Sequence, residues 1–155
     1  MTRRPPDVIE LDLRVADKRW EKLISELQAV CDKALEAGAT QKAASGDVSV
    51  LLTGNDEIQT LNQVWRGKDA PTDVLSFPAD AIDKPFLGDI AVALGVTQAD
   101  AEARGRSLPQ HLSHLLIHGL LHLLGHDHKD DTEAAEMEAL EIAALASLGW
   151  PDPYT

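Results

Sequence analysis

Apolar and polar residues alternate along VIELDLRV (8–15), and this period of two predicts a strand that buries one of its faces. Three further apolar runs, each bounded by turn-forming residues, are predicted as strands: DVSVLLT (47–53), VLSF (74–77) and LGDIAVAL (87–94). The pattern therefore predicts four strands, with a proline-containing connection between the last two.

Apolar residues recur at helical spacing between and after these strands. The first such stretch begins at Asp17, a predicted N-cap, and we expect Gly38 to end the helix. We expect Asn55 to cap a second helix that runs to about Arg66, and Thr97 to begin a short third helix.

Two longer helices are predicted in the C-terminal half. Ser107 begins a capping-box pattern for a helix over about 108–124. Asp130 or Asp131 is expected to cap a last helix that continues to about Leu148. This order of elements predicts an α+β fold with a small mixed four-stranded sheet and about five helices packed on it. The length of 155 residues suits a single domain over 1–155.

Composition indicates a cytoplasmic protein without a membrane partner. The most apolar stretch, 112–125, is interrupted by histidines and is too short to span a bilayer. The first residues, MTRRPPDVIELDL, lack the apolar segment of a secretory signal. The single cysteine, Cys31, excludes an internal disulfide framework and suits a reducing compartment.

The net charge of −12 is unevenly distributed along the chain. Residues 1–68 carry ten Lys and Arg against eleven Asp and Glu, whereas residues 69–155 carry four against fifteen. An acidic half of this kind does not attract a polyanion through its overall field. Any nucleic-acid function must therefore rely on a local cationic cluster, a metal ion or a partner.

The segment HGLLHLLGHDH (118–128) predicts a metal site. Residues four apart on a helix project side by side, so His118 and His122 can chelate one ion. Gly125 can adopt the left-handed conformation that ends a helix, and the chain can then return with His128 as third ligand. Three imidazoles with an open fourth position are the arrangement of catalytic zinc, although Ni²⁺ or another divalent metal is also compatible.

The same ligand spacing occurs in metzincin proteases, with one difference. Gly119 stands where those enzymes carry a glutamate as general base, which argues against ordinary peptide hydrolysis. His111 and His114 lie on the helical stripe of the ligands, and we expect them to be structural or to support the ligands. His126 competes with His128, but the spacing favours His128. Asp127 could orient a ligand or cap the turn.

The sequence resembles the YbeY family of bacterial rRNA maturation endoribonucleases. The resemblance rests on HGLLHLLGHDH and on four supporting segments in the family's order: PTDVLSFP (71–78), LGDI (87–90), EAAEMEALE (133–141) and LGWPDPY (148–154). His126 stands where many members have tyrosine, a variation that suits a position outside the ligand set.

The resemblance implies a zinc-dependent, single-strand-specific endoribonuclease that acts in 16S rRNA 3′-end maturation and ribosome quality control. It implies one Zn²⁺ per chain held by His118, His122 and His128, with Arg66 as the catalytic arginine near the metal. The implied partners are single-stranded or ribosomal RNA, the small ribosomal subunit and its proteins, and a ribosome-assembly GTPase.

The reaction chemistry stays open at this stage. Zinc could polarise a phosphate oxygen or activate a water, and Arg66 could stabilise the charge of the phosphodiester, with Lys68 adding charge. The general base could be His114, Asp89 or a second metal-bound water, although a strand position favours a structural hydrogen bond for Asp89. The nucleophile could be water or the substrate's 2′-hydroxyl.

Two other interpretations remain. One is a metallohydrolase of another substrate class, such as a protease that uses a distant carboxylate as base. The other is a non-catalytic ribosome-assembly factor with a structural zinc, which the acidic balance favours because a nuclease acting alone usually has a basic groove.

Overall fold

A computed structural model describes residues 8–155 of the chain. The segment MTRRPPD, on which the expected lack of a secretory signal partly rests, lies outside the described residues. Within them, four strands and six α-helices follow in the order β1 (Ile9–Val15), α1 (Arg19–Leu23), α2 (Leu27–Gln41), β2 (Gly46–Thr53), α3 (Asn55–Arg66), β3 (Val74–Pro78), β4 (Phe86–Ala93), α4 (Leu94–Ala103), α5 (Leu108–Leu123) and α6 (Asp131–Ser147). The predicted α+β fold is confirmed.

The four strands form one mixed sheet in the order β1-β2-β4-β3. Strands β1, β2 and β4 are parallel, and β3 runs antiparallel to β4 at one edge. Successive side chains of a strand point to opposite faces of the sheet. One face carries fully buried side chains, among them Val48, Val50, Leu52, Ile90 and Val92. The helices α2 and α5 cover this face.

Helix α5 lies at the centre of the fold and contacts α2, α6, β3 and β4. Its apolar side chains are completely buried at Leu112, Leu116, Ile117, Leu120 and Leu121. Burial of one such side chain contributes about 1.5–3 kcal/mol, so this helix is held firmly in place by the core. None of the helices that the structure describes combines the length and the apolar character of a membrane span.

The prediction of one helix over 17–38 is wrong, because the structure has two helices there and both outer ends differ from the predicted ones. Glu26 adopts a left-handed conformation with φ of 54° and separates α1 from α2. Asp17 nevertheless accepts a hydrogen bond from the Arg19 backbone N–H, at 3.1 Å, just where α1 begins. Gly38 does not end a helix, because α2 continues to Gln41. A Cβ atom at Gly38 would lie 3.1 Å from Leu120 Cδ2, so the glycine allows α2 and α5 to pack closely.

Two further helix starts differ from the prediction. Gly54 is the N-cap of α3, and Asn55 is its first residue, whose side chain accepts a hydrogen bond from the Val96 backbone N–H at 3.1 Å. Thr97 lies inside α4, which begins at Leu94 directly after β4. The apolar residues of β4 continue into α4 without a polar residue between them, so the sequence pattern does not show where the strand ends and the helix begins.

The predicted starts of the last two helices are confirmed. Ser107 Oγ accepts a hydrogen bond from the Gln110 backbone N–H at 3.2 Å, at the beginning of α5. Asp130 Oδ1 accepts one from the Glu133 backbone N–H at 2.8 Å, at the beginning of α6. These caps satisfy backbone donors that the helices themselves leave unpaired.

The close approach at Gly38 can be tested by adding a side chain there. We expect Gly38→Val to lower the free energy of unfolding by about 1–3 kcal/mol, because the new methyl groups overlap Leu120. Lys33→Val is a matched control, since Lys33 is exposed on the same helix and should lose only about 0.5 kcal/mol of helix propensity. Urea denaturation of both variants measures the difference, and equal stabilities would contradict the proposed packing role.

Candidate metal centre

Helix α5 and the turn that follows it bring the three predicted histidine ligands together. His118 and His122 lie on consecutive turns of α5, with their Nε2 atoms 3.1 Å apart. Gly125, at φ of 99°, reverses the chain, and the His126 backbone N–H donates to the Leu121 carbonyl at 2.9 Å. This reversal places a ring nitrogen of His128 with the other two, all within 4.8 Å of one another.

The outer nitrogens of the first two rings are held by hydrogen bonds. His118 Nδ1 lies 3.0 Å from a carboxylate oxygen of Glu141, and His122 Nδ1 lies 2.9 Å from the His126 carbonyl. A carboxylate and a carbonyl can only accept, so each Nδ1 carries the proton and each Nε2 presents a lone pair. Hydrogen bonds of this kind orient histidine ligands in metal sites.

The spacing of two of the three donors suits a divalent ion such as zinc. Two nitrogens bonded to one tetrahedral zinc are about 3.3 Å apart, close to the spacing of the His118 and His122 Nε2 atoms. Burial, followed by the neighbouring His118, lowers the pKa of His122, which favours the neutral ring that binds a metal. Among residues 8–155, no fourth His, Cys, Asp or Glu joins the three-histidine group. The group could therefore hold a metal ion with one position free for a reactant.

Glu141 is the functional residue that sequence reasoning missed. Its carboxylate is 1% exposed and bridges two histidines: Oε1 lies 2.5 Å from His114 Nε2, and Oε2 faces His118. The Tyr154 hydroxyl donates to the same Oε1 at 2.6 Å. One signal was present in the sequence, because Glu141 shares the apolar stripe of α6 with Met137, Ala144 and Leu145.

The environment of Glu141 keeps it ionised. Burial raises the pKa of this carboxyl, but hydrogen bonds from His114, His118 and Tyr154 outweigh burial and lower it to about 2. The folded pKa is below the unfolded value of 4.5, so the charged group stabilises the fold above about pH 4.5. This contribution is lost as the pH falls from there towards about 2.

The other histidines of α5 do not join the three ligands. His114 is engaged by Glu141, and its Nδ1 lies 3.4 Å from a guanidinium nitrogen of Arg106, in agreement with the expected supporting role. His111 is 2% exposed, and neither of its ring nitrogens has a hydrogen-bond partner among the described residues.

Asp127 accepts a hydrogen bond from the His128 backbone N–H at 2.8 Å, so it orders the turn that carries the third histidine.

Arg66 lines the same cleft as the three histidines. It is the last residue of α3, and its guanidinium donates to the Ser76 carbonyl at 2.5 Å and lies 5.6 Å from the centre of the Phe77 ring.

Asp89 does not line the cleft but lines a second cavity on the opposite face of the sheet, so it is badly placed to act as general base. Lys68 lines neither cavity.

Gly119 packs α5 against the sheet. A Cβ atom there would lie 3.1 Å from two atoms of Ile90 and 3.1 Å from Ser76 Oγ. A glutamate at this position would point into β3 and β4 and not into the cleft. Packing of α5 against the sheet therefore disfavours the protease's glutamate at this position.

The comparisons with known proteins decide the family. The family model described as Endoribonuclease YbeY matches residues 10–149. The chain belongs to the YbeY family. The YbeY endoribonuclease of Stutzerimonas stutzeri (strain A1501) is 44% identical over 95% of this chain and 92% of the relative. That of Rhodopseudomonas palustris (strain BisB18) is 46% identical over 99% of this chain and 96% of the relative.

A solved structure has a similar fold. The solution structure of TM1509 from Thermotoga maritima has a TM-score of 0.58 and 27% identity to this chain, and the match covers 92% of each. The family predicted from HGLLHLLGHDH and its supporting segments is confirmed.

The role of Glu141 can be measured through zinc affinity. We expect Glu141→Gln to raise the dissociation constant for Zn²⁺ by about 10–100-fold, because a neutral amide holds the His118 ring less firmly. Glu136→Gln removes the same charge from an exposed position of the same helix and serves as control. Competition with a chelator gives both affinities, with circular dichroism to verify folding. Equal zinc affinities would show that Glu141 does not support the site.

Proposed function

We propose that this YbeY-family protein is a zinc-dependent, single-strand-specific endoribonuclease. In this proposal it cleaves RNA phosphodiesters in 16S rRNA 3′-end maturation and in ribosome quality control. The observation that carries the proposal is the group of three imidazole nitrogens within 4.8 Å at the surface of a cleft of about 770 Å³ that also contains Arg66. The family's activity, stated in the names of its relatives, supports the choice of RNA as substrate.

His118, His122 and His128 would hold the ion. When bound, Zn²⁺ supplies Lewis acidity to a phosphate oxygen or to a water molecule. Glu141 and the His126 carbonyl orient two of the rings from behind, so the ligands need little rearrangement. The histidines differ in exposure, with His118 and His122 half-buried and His128 exposed, which places the site at the cleft surface where an RNA strand can reach it.

Arg66 would bind the scissile phosphate and stabilise its developing charge. The Ser76 carbonyl and the Phe77 ring fix the guanidinium at the edge of the cleft. One of its terminal nitrogens makes this hydrogen bond, and the other N–H groups have no partner among the described residues. They are available to a phosphate, for which a guanidinium provides paired donors.

The strong negative charge indicates how the substrate is delivered. With a net charge of −12, the protein does not attract free RNA at long range. We therefore propose that the small ribosomal subunit and its proteins present the RNA, together with a ribosome-assembly GTPase. A cytoplasmic location accords with the ribosomal partner and with Cys31, a buried free thiol.

A non-catalytic assembly factor with a structural zinc is the second candidate, and the acidic charge is the observation that favours it. A structural ion contributes most of the folding free energy of its domain. Here α5 is anchored by five fully buried aliphatic side chains that do not depend on an ion. The metal ion should therefore be dispensable for folding.

Removal of the metal separates the two candidates. We expect chelation, or His122→Ala, to abolish RNA cleavage while the circular dichroism spectrum and cooperative unfolding are retained. His126→Tyr is the matched control, since the His126 side chain lies outside the three-histidine group, and it should keep both zinc and activity. Cleavage of single-stranded RNA, zinc content and thermal unfolding are measured together. Unfolding upon chelation would instead favour the structural ion.

The proposed role of Arg66 predicts a kinetic defect without a defect in metal binding. We expect Arg66→Gln to lower kcat/KM for single-stranded RNA by about 100-fold, and Arg66→Lys to recover little because an ammonium cannot donate as a planar pair. Zinc content should be unchanged in both. Lys68→Gln removes a nearby positive charge outside the cleft and should change kcat/KM less than about twofold. Full activity in Arg66→Gln would exclude the arginine from catalysis.

A further inference from the structure

The cleft extends beyond the three histidines to a region that contains a second arginine. Its lining includes Arg104, His111 and Tyr154 in addition to Arg66 and the histidine group. His118 follows His111 by seven positions on α5, which corresponds to roughly 10 Å along the helix. A stacked strand rises about 3.4 Å per nucleotide, so this distance corresponds to no more than about three nucleotides.

Two arginines lie close together in this region without an acidic partner. Burial lowers the pKa of Arg106, and the nearby charge of Arg104 lowers it further. Arg106 is committed to the protein, because it donates to the Pro153 carbonyl and contacts His114. Arg104 is exposed, and it forms no ion pair with any residue that the structure describes. The guanidinium of Arg104 is therefore available to an anionic ligand, although the charges of Asp100, Glu138 and Glu141 also reach this part of the cleft.

His111 provides an independent indication of a ligand. Both of its ring nitrogens are buried without a hydrogen-bond partner among residues 8–155, although the residue lines the cleft. A buried unpaired polar group costs about 1–3 kcal/mol, so it usually serves a bound water, ion or ligand. Burial, followed by the charges of His114, Arg106 and Arg104, lowers the pKa of His111 to about 4. The ring is therefore neutral near pH 7 and has one N–H to donate.

We propose that Arg104 and His111 form a second phosphate subsite, which binds a backbone phosphate of the RNA near the one that is cleaved. The proposal rests on the proposed nuclease function and adds a residue pair that determines the path of the strand. Arg66 and Arg104 would hold two phosphates of one strand, with the histidine group also lining the cleft. A groove with positive charges along a single strand binds the backbone without reading the sequence.

The salt dependence of binding tests the subsite. The probe is a fluorescent single-stranded DNA oligonucleotide, which has the same backbone charge as RNA, and gel analysis verifies that the zinc-loaded protein leaves it intact. We expect Arg104→Gln to weaken binding about five- to tenfold at low salt and to reduce the slope of log K against log salt by about 0.7. Arg104→Lys keeps the charge and should retain the wild-type slope.

Arg19→Gln is the matched control, because it makes the same chemical change at an exposed arginine that does not line the cleft. A second experiment locates the contact on the strand by replacing one linkage at a time with a neutral methylphosphonate. At one linkage or more, we expect the methylphosphonate to lower the affinity of the wild type for the oligonucleotide but to leave the affinity of Arg104→Gln unchanged. This result is required if Arg104 contacts the phosphate of that linkage. His111→Gln keeps a hydrogen-bond donor at this position, so it should bind the oligonucleotide more tightly than His111→Leu does.

The outcomes separate this inference from the proposed function. If the wild type cleaves RNA in a zinc-dependent manner while Arg104→Gln and Arg19→Gln bind with the same affinity and slope, the subsite is excluded and the nuclease function stands. If every methylphosphonate position affects the wild type and Arg104→Gln equally, the subsite is also excluded. If the wild type binds no single strand and cleaves no RNA, either free or within the small ribosomal subunit, both proposals fail.

Discussion

The packing of helix α5 is the constraint on which the fold and the site both depend. Its leucine and isoleucine side chains fill the core, and its histidines line the cleft. Both functions are possible on one helix because the 3.6-residue period separates the two stripes around the axis. Gly38 and Gly119 allow α5 to pack closely against α2 and against the sheet. A helix that is fixed in this way presents its ring nitrogens at a constant spacing.

The buried carboxylate of Glu141 links the core to the chemistry. A buried charge is costly unless it is paired and hydrogen-bonded, and Glu141 is satisfied by two imidazoles and the Tyr154 hydroxyl. Burial and the carboxylate raise the pKa of Tyr154, so its hydroxyl remains a donor. The last helix and the C-terminal segment thereby orient a histidine of α5, which explains why motif residues far apart in the chain belong to one site.

The charge distribution gives the cleft its character. The protein as a whole is strongly acidic, yet the cleft places arginines at Arg66 and Arg104 near three imidazoles that could hold a cation. The lining also contains Asp73 and Asp127, so the cleft offers local contacts to phosphates without a net positive field, and long-range attraction of RNA is missing. Short-range contacts to individual phosphates and delivery by a partner would then decide which strand is cleaved.

The family, the α+β class and the three histidines were accessible from the sequence, because each depends on local spacing. A helix fixes the angle between His118 and His122, and a glycine at 125 permits the reversal that brings in His128. Glycine at 38 was misread as a helix end, since a sequence pattern does not reveal which helix lies against it. The stripe of α6 marks Glu141 as buried, but only the tertiary structure shows its two histidine partners. The lack of a partner for His111 among the described residues and the position of Asp89 on the opposite face of the sheet were likewise decided by tertiary structure. Contacts between segments distant in the chain depend on how the elements pack, and no local periodicity encodes them.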